Sequence, residues 1–188
     1  RGDSPRPASG GGAARRRHVG AALATAIATH GCREACGALI ANDGVVHCRE
    51  SILAMAERFG SDAPMRRQML KMSDLPAAAR LLLIDRLGES LRGETQGEIP
   101  AARLDALISE NRDRAIIAWA ARARDADIAD MVSAMIEGGR LTTAFLLRAV
   151  CLGNIALFSA ALASLSGLDP SRVDAVIAAS RVNALRAI

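Results

Sequence analysis

Apolar residues recur at spacings of three and four along most of this chain, and polar or Gly/Pro-rich breaks interrupt them at short intervals. That period places each apolar set on one helical stripe, so the pattern predicts helices throughout. The first helix is expected from about His18 to His30, stopped by Gly31, and the second from Arg33 to Ala41. Asn42-Asp43-Gly44 ends the second, since Asn and Gly accept the left-handed conformation. The third covers His47 to Phe59, with Ile52, Ala56 and Phe59 in register. Ser61 or Asp62 then serves as an N-cap, with Pro64 in the first turn of a fourth helix reaching Met72. Ser73-Asp74-Leu75-Pro76 repeats that device before a fifth helix, which carries Leu81, Ile84, Leu87 and Leu91 on one face and ends near Gly93.

Pro100 opens a longer helix to about Arg124, with Leu104, Leu107, Ile108, Ala115 and Trp119 on its stripe and Asn111 among them. Asp125 and Asp127 suit the positive end of the next helix, which should bury Ile128, Met131, Val132 and Met135 before Gly138-Gly139. Thr142 caps a helix through Phe145, Leu146 and Val150 to Gly153. Asn154 caps another, with Ile155, Phe158, Leu162 and Leu165 in register, and Asp169-Pro170 starts the last, up to about Ser180. Residues Arg181 to Ile188 break off within the pattern.

The pattern therefore predicts an all-α fold of about ten short helices with short connections, which force antiparallel neighbours. None of these helices buries its apolar face alone. The expected architecture is a stack of HEAT-like helical repeats, with a compact irregular helical bundle as the alternative. Residues 1–17, rich in Gly, Pro and Arg, read as a disordered basic tail, and 18–188 as one helical domain.

Composition supports helices over strands. Alanine is about one residue in five, well above ordinary usage, aromatic residues are 2%, and Tyr is absent. Alanine is the best helix former, and a chain poor in Val, Thr and Tyr builds strands badly. Arg1, Arg6, Arg15, Arg16 and Arg17 against Asp3 account for the whole formal charge of +4, which leaves the remainder neutral. Nucleic acid is not the expected partner, because the rest lacks both net positive charge and stacking aromatics, and Arg15-Arg16-Arg17-His18 read as a solvated helix start. The arginines of Asn111-Arg112-Asp113-Arg114, with Arg122 and Arg124, are interleaved with acids and read as a solvated face. Arg1-Gly2-Asp3 matches an integrin-recognition tripeptide, read here as coincidence in a biased segment.

Candidate chemistry is sparse. His30, Cys32, Cys36, His47 and Cys48 are the types that bind zinc, but the usual two-residue Cys spacing is missing. Buried or idle thiols are the expectation, with a thiol or zinc sensor as an alternative. Cys151 lies between Val150 and Leu152, which suggests core packing. There is no Gly-x-Ser-x-Gly elbow or phosphate-binding glycine loop, and carboxylates such as Asp74, Asp125 and Asp127 sit where capping explains them. No catalytic, cofactor or metal residues are assigned, and an enzyme is not expected. No stretch is apolar for the roughly 18 residues a membrane span needs, and no signal-peptide pattern opens the chain. Free thiols in a cytoplasmic protein follow as the expectation.

Several segments resemble one known family. They are Ala41-Asn42-Asp43, Glu57-Arg58-Phe59-Gly60, Met65 to Leu70, Ser73 to Ala78, and the run from Gly139 through Leu152-Gly153-Asn154 to Leu168. Together they are similar to the alphaproteobacterial family called domain of unknown function 2336. Asn111 departs from it by standing where the family places a small residue. The resemblance implies an all-helical, HEAT-like repeat protein and brings no activity, substrate or cofactor. The functional expectation is a protein–protein interaction scaffold or adaptor whose partner is another protein, compatible with a homo-oligomer. The alternatives are a nucleic-acid-associated regulatory domain using the tail, or the thiol or zinc sensor.

Overall fold

The computed structural model describes residues 18–95 and 97–179. The expected tail at 1–17 and the end at 181–188 lie outside the described residues. Ten helices are present among those described: α1 (Ala21–His30), α2 (Arg33–Ile40), α3 (Arg49–Phe59), α4 (Ala63–Met69), α5 (Ala77–Glu94), α6 (Ala101–Ala120), α7 (Asp125–Glu137), α8 (Thr143–Cys151), α9 (Ile155–Ser166) and α10 (Pro170–Ala178). The described residues contain no strand. The chain divides into two compact units between Ser90 and Leu91.

In the first unit α1 packs on both α2 and α3, and α4 packs on both α2 and α3. The core is aliphatic and sulfur-rich: Ile27, Leu39, Ile52, Met55, Met65, Met69 and Leu83. Two arginines hold helix ends that would otherwise expose orphan carbonyls. Arg58 on α3 donates to the Ala28 and Gly31 carbonyls at the end of α1, at 2.5 and 2.7 Å. Arg66 on α4, itself buried, donates to the Gly60 carbonyl at 2.9 Å and to that of Ser61 at 3.3 Å. Gly60 is required here by proximity: a Cβ would lie 2.4 Å from the Ala56 carbonyl oxygen and 3.0 Å from Arg86 Cγ.

Three local expectations need correction in this unit. The first helix starts at Ala21, not His18, because Val19 is extended and pairs in a parallel bridge with Val45. Val19 N–H donates to the Gly44 carbonyl at 3.3 Å, and Val46 N–H donates to the Val19 carbonyl at 3.2 Å. β-Branched valines favour that conformation over a helix start. The stop after α2 is built on an Asx turn, with Asn42 Oδ1 accepting from Gly44 N–H at 3.0 Å. The third helix begins at Arg49, past His47, and the fourth stops at Met69, short of Met72. Asp62 is the N-cap of α4 and accepts from Met65 N–H at 2.9 Å.

In the second unit α6 packs on α8, α7 on α9, α8 on α9 and α9 on α10. The helix α7 buries Ile128, Met131, Val132 and Met135, as its sequence suggests. The stripe of α6 differs from expectation. Asp113, Ile116, Ile117 and Ala120 are buried, whereas Ala115 and Leu107 are exposed. Asn111 is exposed too, and its Nδ2 donates to the Leu107 carbonyl at 2.8 Å. Buried Asp113 pairs with Arg148 of α8. On α9 the buried positions are Leu157, Ser159, Ala161 and Ala163, while Ile155 and Leu165 face solvent. On α5, Leu87 and Leu91 are likewise exposed, and Leu81 and Leu83 are buried.

The Arg66 cap gives a direct test. Arg66→Met keeps the stem and removes both hydrogen bonds, so it should lower stability by about 2 kcal/mol, read by urea denaturation followed by far-UV circular dichroism. An unchanged midpoint would show that the two carbonyls do not need this donor.

Candidate functional site

In the second unit a groove of about 540 Å³ opens where the ends of α6 and α8 meet the starts of α7 and α9. Three sequence devices shape it. The last turn of α6 supplies Ile117, Ala118 and Ala120, and the two alanines are small enough to leave a depression. Gly153, with φ of 77°, turns the chain out of α8 in the left-handed region that other residues rarely adopt. Asn154 then starts α9. Its Oδ1 accepts from Leu157 N–H at 3.1 Å, and its Nδ2 donates to the Ile117 carbonyl at 3.1 Å, so one buried side chain ties α9 to α6.

The groove is apolar at its rim. Leu152 is 53% exposed and Ile155 44%, far more than core residues of these types. Leu147 and Val150 on α8 are exposed as well. Two of the cations nearby are engaged, Arg114 with Glu110 at 2.8 Å and Arg124 with Asp127 at 2.9 Å, while Arg122, between the lining residues Ala121 and Ala123, is exposed. The neighbouring guanidinium holds the Asp127 carboxyl below its ordinary range, so the pair stays ionised at neutral pH. This surface has no nucleophile–base pair.

The cysteine and histidine positions fall in the first unit. His30 and Cys32 are exposed. Cys36 is buried, its Sγ 3.4 Å from the Ile27 carbonyl, and burial pushes the thiol up against the opposing pull of the Arg58 charge. Cys48 is half-buried beside Thr25, with Oγ1 to Sγ at 3.1 Å. Hydrogen bonds from Thr25 and Ser51 hold this thiol below its ordinary value. Cys32 and Cys36 do not share a helix face, since Cys32 precedes α2 and Cys36 lies within it. The described residues bring no three His, Cys, Asp or Glu side chains together around one ion position. Cys151, expected in the core, is exposed at the end of α8.

His47 lines a second, polar depression of about 420 Å³ with Asn42, Asp43, Gln68, Lys71 and Asp74. Its Nδ1 is buried without a hydrogen-bond partner among the described residues. Burial pushes the imidazole down from its ordinary value, and Asp74 partly opposes this. The sequence pointed to His47 only as a metal candidate, and the signal for this depression is the pairing of two polar turns, Asn42-Asp43 and Ser73-Asp74. The groove of the second unit was missed as well. The sequence places Val150 and Ile155 on expected buried stripes, and nothing local shows that both, with Leu152, stay exposed.

Two measurements check these sites. Asn154→Ala removes the cap of α9 and its tie to the Ile117 carbonyl, which Ala121 N–H still pairs at 3.0 Å, so stability should fall by about 1–2 kcal/mol in urea denaturation; a loss under about 0.5 kcal/mol would deny it that role. For His47 the folded pKa lies below the unfolded one, so the unfolded chain binds more protons in the window below about 6.5. Melting temperature should therefore drop as pH is lowered through that window, and His47→Gln should flatten the dependence. Parallel profiles for the two proteins would contradict it.

No helix among the described residues is long and apolar enough to cross a membrane. No curated protein and no solved structure matches this chain. A family model does match, over residues 13–188, and its description is an uncharacterised protein conserved in bacteria. This is the family suggested by the segments from Asn42-Asp43 to Leu168, and the chain belongs to it: domain of unknown function 2336 (DUF2336).

Proposed function

We propose that this chain is a non-enzymatic protein-binding domain that docks a protein partner on the apolar groove of its second unit. The observation that carries this reading is the exposure of Leu152 and Ile155 together on the groove rim. Grouped exposed aliphatic residues cost solubility and mark interaction surfaces more often than chance. A phosphate-binding surface would need several unpaired cations, and Arg114 and Arg124 beside the groove are spent on Glu110 and Asp127.

We also propose a HEAT-like repeat organisation within each unit, with packed helix pairs α1–α2 and α3–α4 in the first and α8–α9 in the second. Support comes from the packing of alternate helices, α1 on α3 and α2 on α4, then α6 on α8 and α7 on α9. Helix pairs stacked in two layers bring alternate helices together in this way. A reducing compartment such as the cytoplasm fits the four free cysteines.

The reading is tested by capture from a native bacterial lysate, with wild type and a Leu152→Asp/Ile155→Asp double variant as baits. Wild type should retain a stoichiometric protein that the variant loses, with circular dichroism confirming that the variant folds. Identical protein profiles from the two baits, at every salt concentration tried, would sink the proposal.

A further inference from the structure

The groove does not stop at Ile155. A second concavity of about 330 Å³ shares Asp125, Ile128 and Ala156 with it and continues along α9 to Pro170 and Asp174 on α10. Its floor is Ala156, Ala160 and Ala163 on α9 with Ala129 on α7. Alanines at spacings of four and three form a shallow track along a helix. Side chains that short let a second helix approach to the near end of the usual 8–10 Å range.

The charges along this track have one sign. Asp125 and Asp174 line it, and no Lys or Arg does. Ser159, 5% exposed, donates its hydroxyl to Asp174 and so fixes that carboxylate against the wall. Asp125 is exposed and in no ion pair among the described residues. The nearest arginine in sequence, Arg124, donates both to Asp127 Oδ2 at 2.9 Å and to Asp127 Oδ1 at 3.0 Å. An apolar floor between two unneutralised carboxylates calls for an occupant that is apolar in the middle and positive at its edges.

Building on the protein-binding reading above, we infer that the α7–α9 track receives a cationic amphipathic helix of the partner protein, its small aliphatic face on the alanines and Lys or Arg side chains reaching Asp125 and Asp174. The carboxylates choose the partner by charge. The alanine floor chooses it by shape, since a groove this shallow rejects large side chains at the centre of the contact.

Two fluorescent peptides of about 16 residues, roughly 24 Å of helix, test this by anisotropy with the full chain. They share an Ala/Leu face, and one is flanked by Lys, the other by Glu. The Lys peptide should bind at least about tenfold more tightly, because like charges repel across such a rim. Asp125→Asn should weaken it about two- to fivefold, the range of an exposed charge pair, and reduce its salt dependence. Ala160→Trp should abolish binding by filling the track, and Ser164→Trp, at an exposed wall position, does the same with less risk to folding. Equal binding of the two peptides, lost in both Trp variants, would overturn the charge preference and leave the groove a docking surface. No binding of either peptide, or binding unchanged in both Trp variants, would overturn the track as the helix site. A chain that sediments as a dimer and becomes monomeric with Ser164→Trp would also overturn it, by assigning the track to a second copy.

Discussion

A helix of eight to thirteen residues does not hold together in water. Nucleation is costly and the first and last turns leave backbone groups unpaired. Eight of the ten helices here are that short or shorter, so each depends on two supplements: a buried stripe against neighbours and a partner for its ends. The rest of the structure follows from how these are supplied. Asp62, Thr142, Asn154 and Asp169 pair the starts of their helices through their own side chains. Arg58 and Arg66 supply ends from another part of the chain. Asn154 does both, since it caps α9 and ties it to α6.

Cap chemistry is local, and that is why so much of the fold was legible. These four capping side chains fall where the sequence places them, and Gly139, Gly153 and Gly167 turn through positive φ at the ends of α7, α8 and α9; the expected Ser73-Asp74 cap does not form, because α5 starts only at Ala77, beyond Pro76. Which face each helix buries was less legible. On α7 the stripe Ile128, Met131, Val132 and Met135 stands against Asp127, Asp130 and Glu137, and the polar side orients the helix unambiguously. On α9 no charge marks a polar face, so Ile155-Phe158-Leu162-Leu165 and Leu157-Ala161 are equally good stripes until the neighbours are in place. The structure buries the second. On α6 an aspartate sits on the buried stripe, and its partner Arg148 is 35 residues away, beyond any local signal.

The candidate site is a by-product of the same rule. Choosing Leu157 and Ala161 for the core of the second unit leaves Ile155 outside, next to Leu152, and leaves Ala156, Ala160 and Ala163 as the floor of an open track. The apolar material that made α9 ambiguous in sequence is what leaves the folded unit an open apolar track, the surface proposed to dock another protein. The cysteine and histidine cluster shows the opposite case. It was prominent in sequence because the residues lie close along the chain, and in space they meet different environments, Cys36 within α2 in the core and Cys32, just before α2, in solvent.

The central claim is that helices of each unit pack on their second neighbours, because that packing both buries the stripes and leaves the track open. Methyl–methyl nuclear Overhauser effects on selectively labelled protein test it most directly. The account expects cross-peaks between α7 methyls such as Ile128 and Val132 and α9 methyls such as Leu157 and Ala161, and between α6 and α8. Cross-peaks confined to helices adjacent in sequence, with none from α7 to α9, would contradict it.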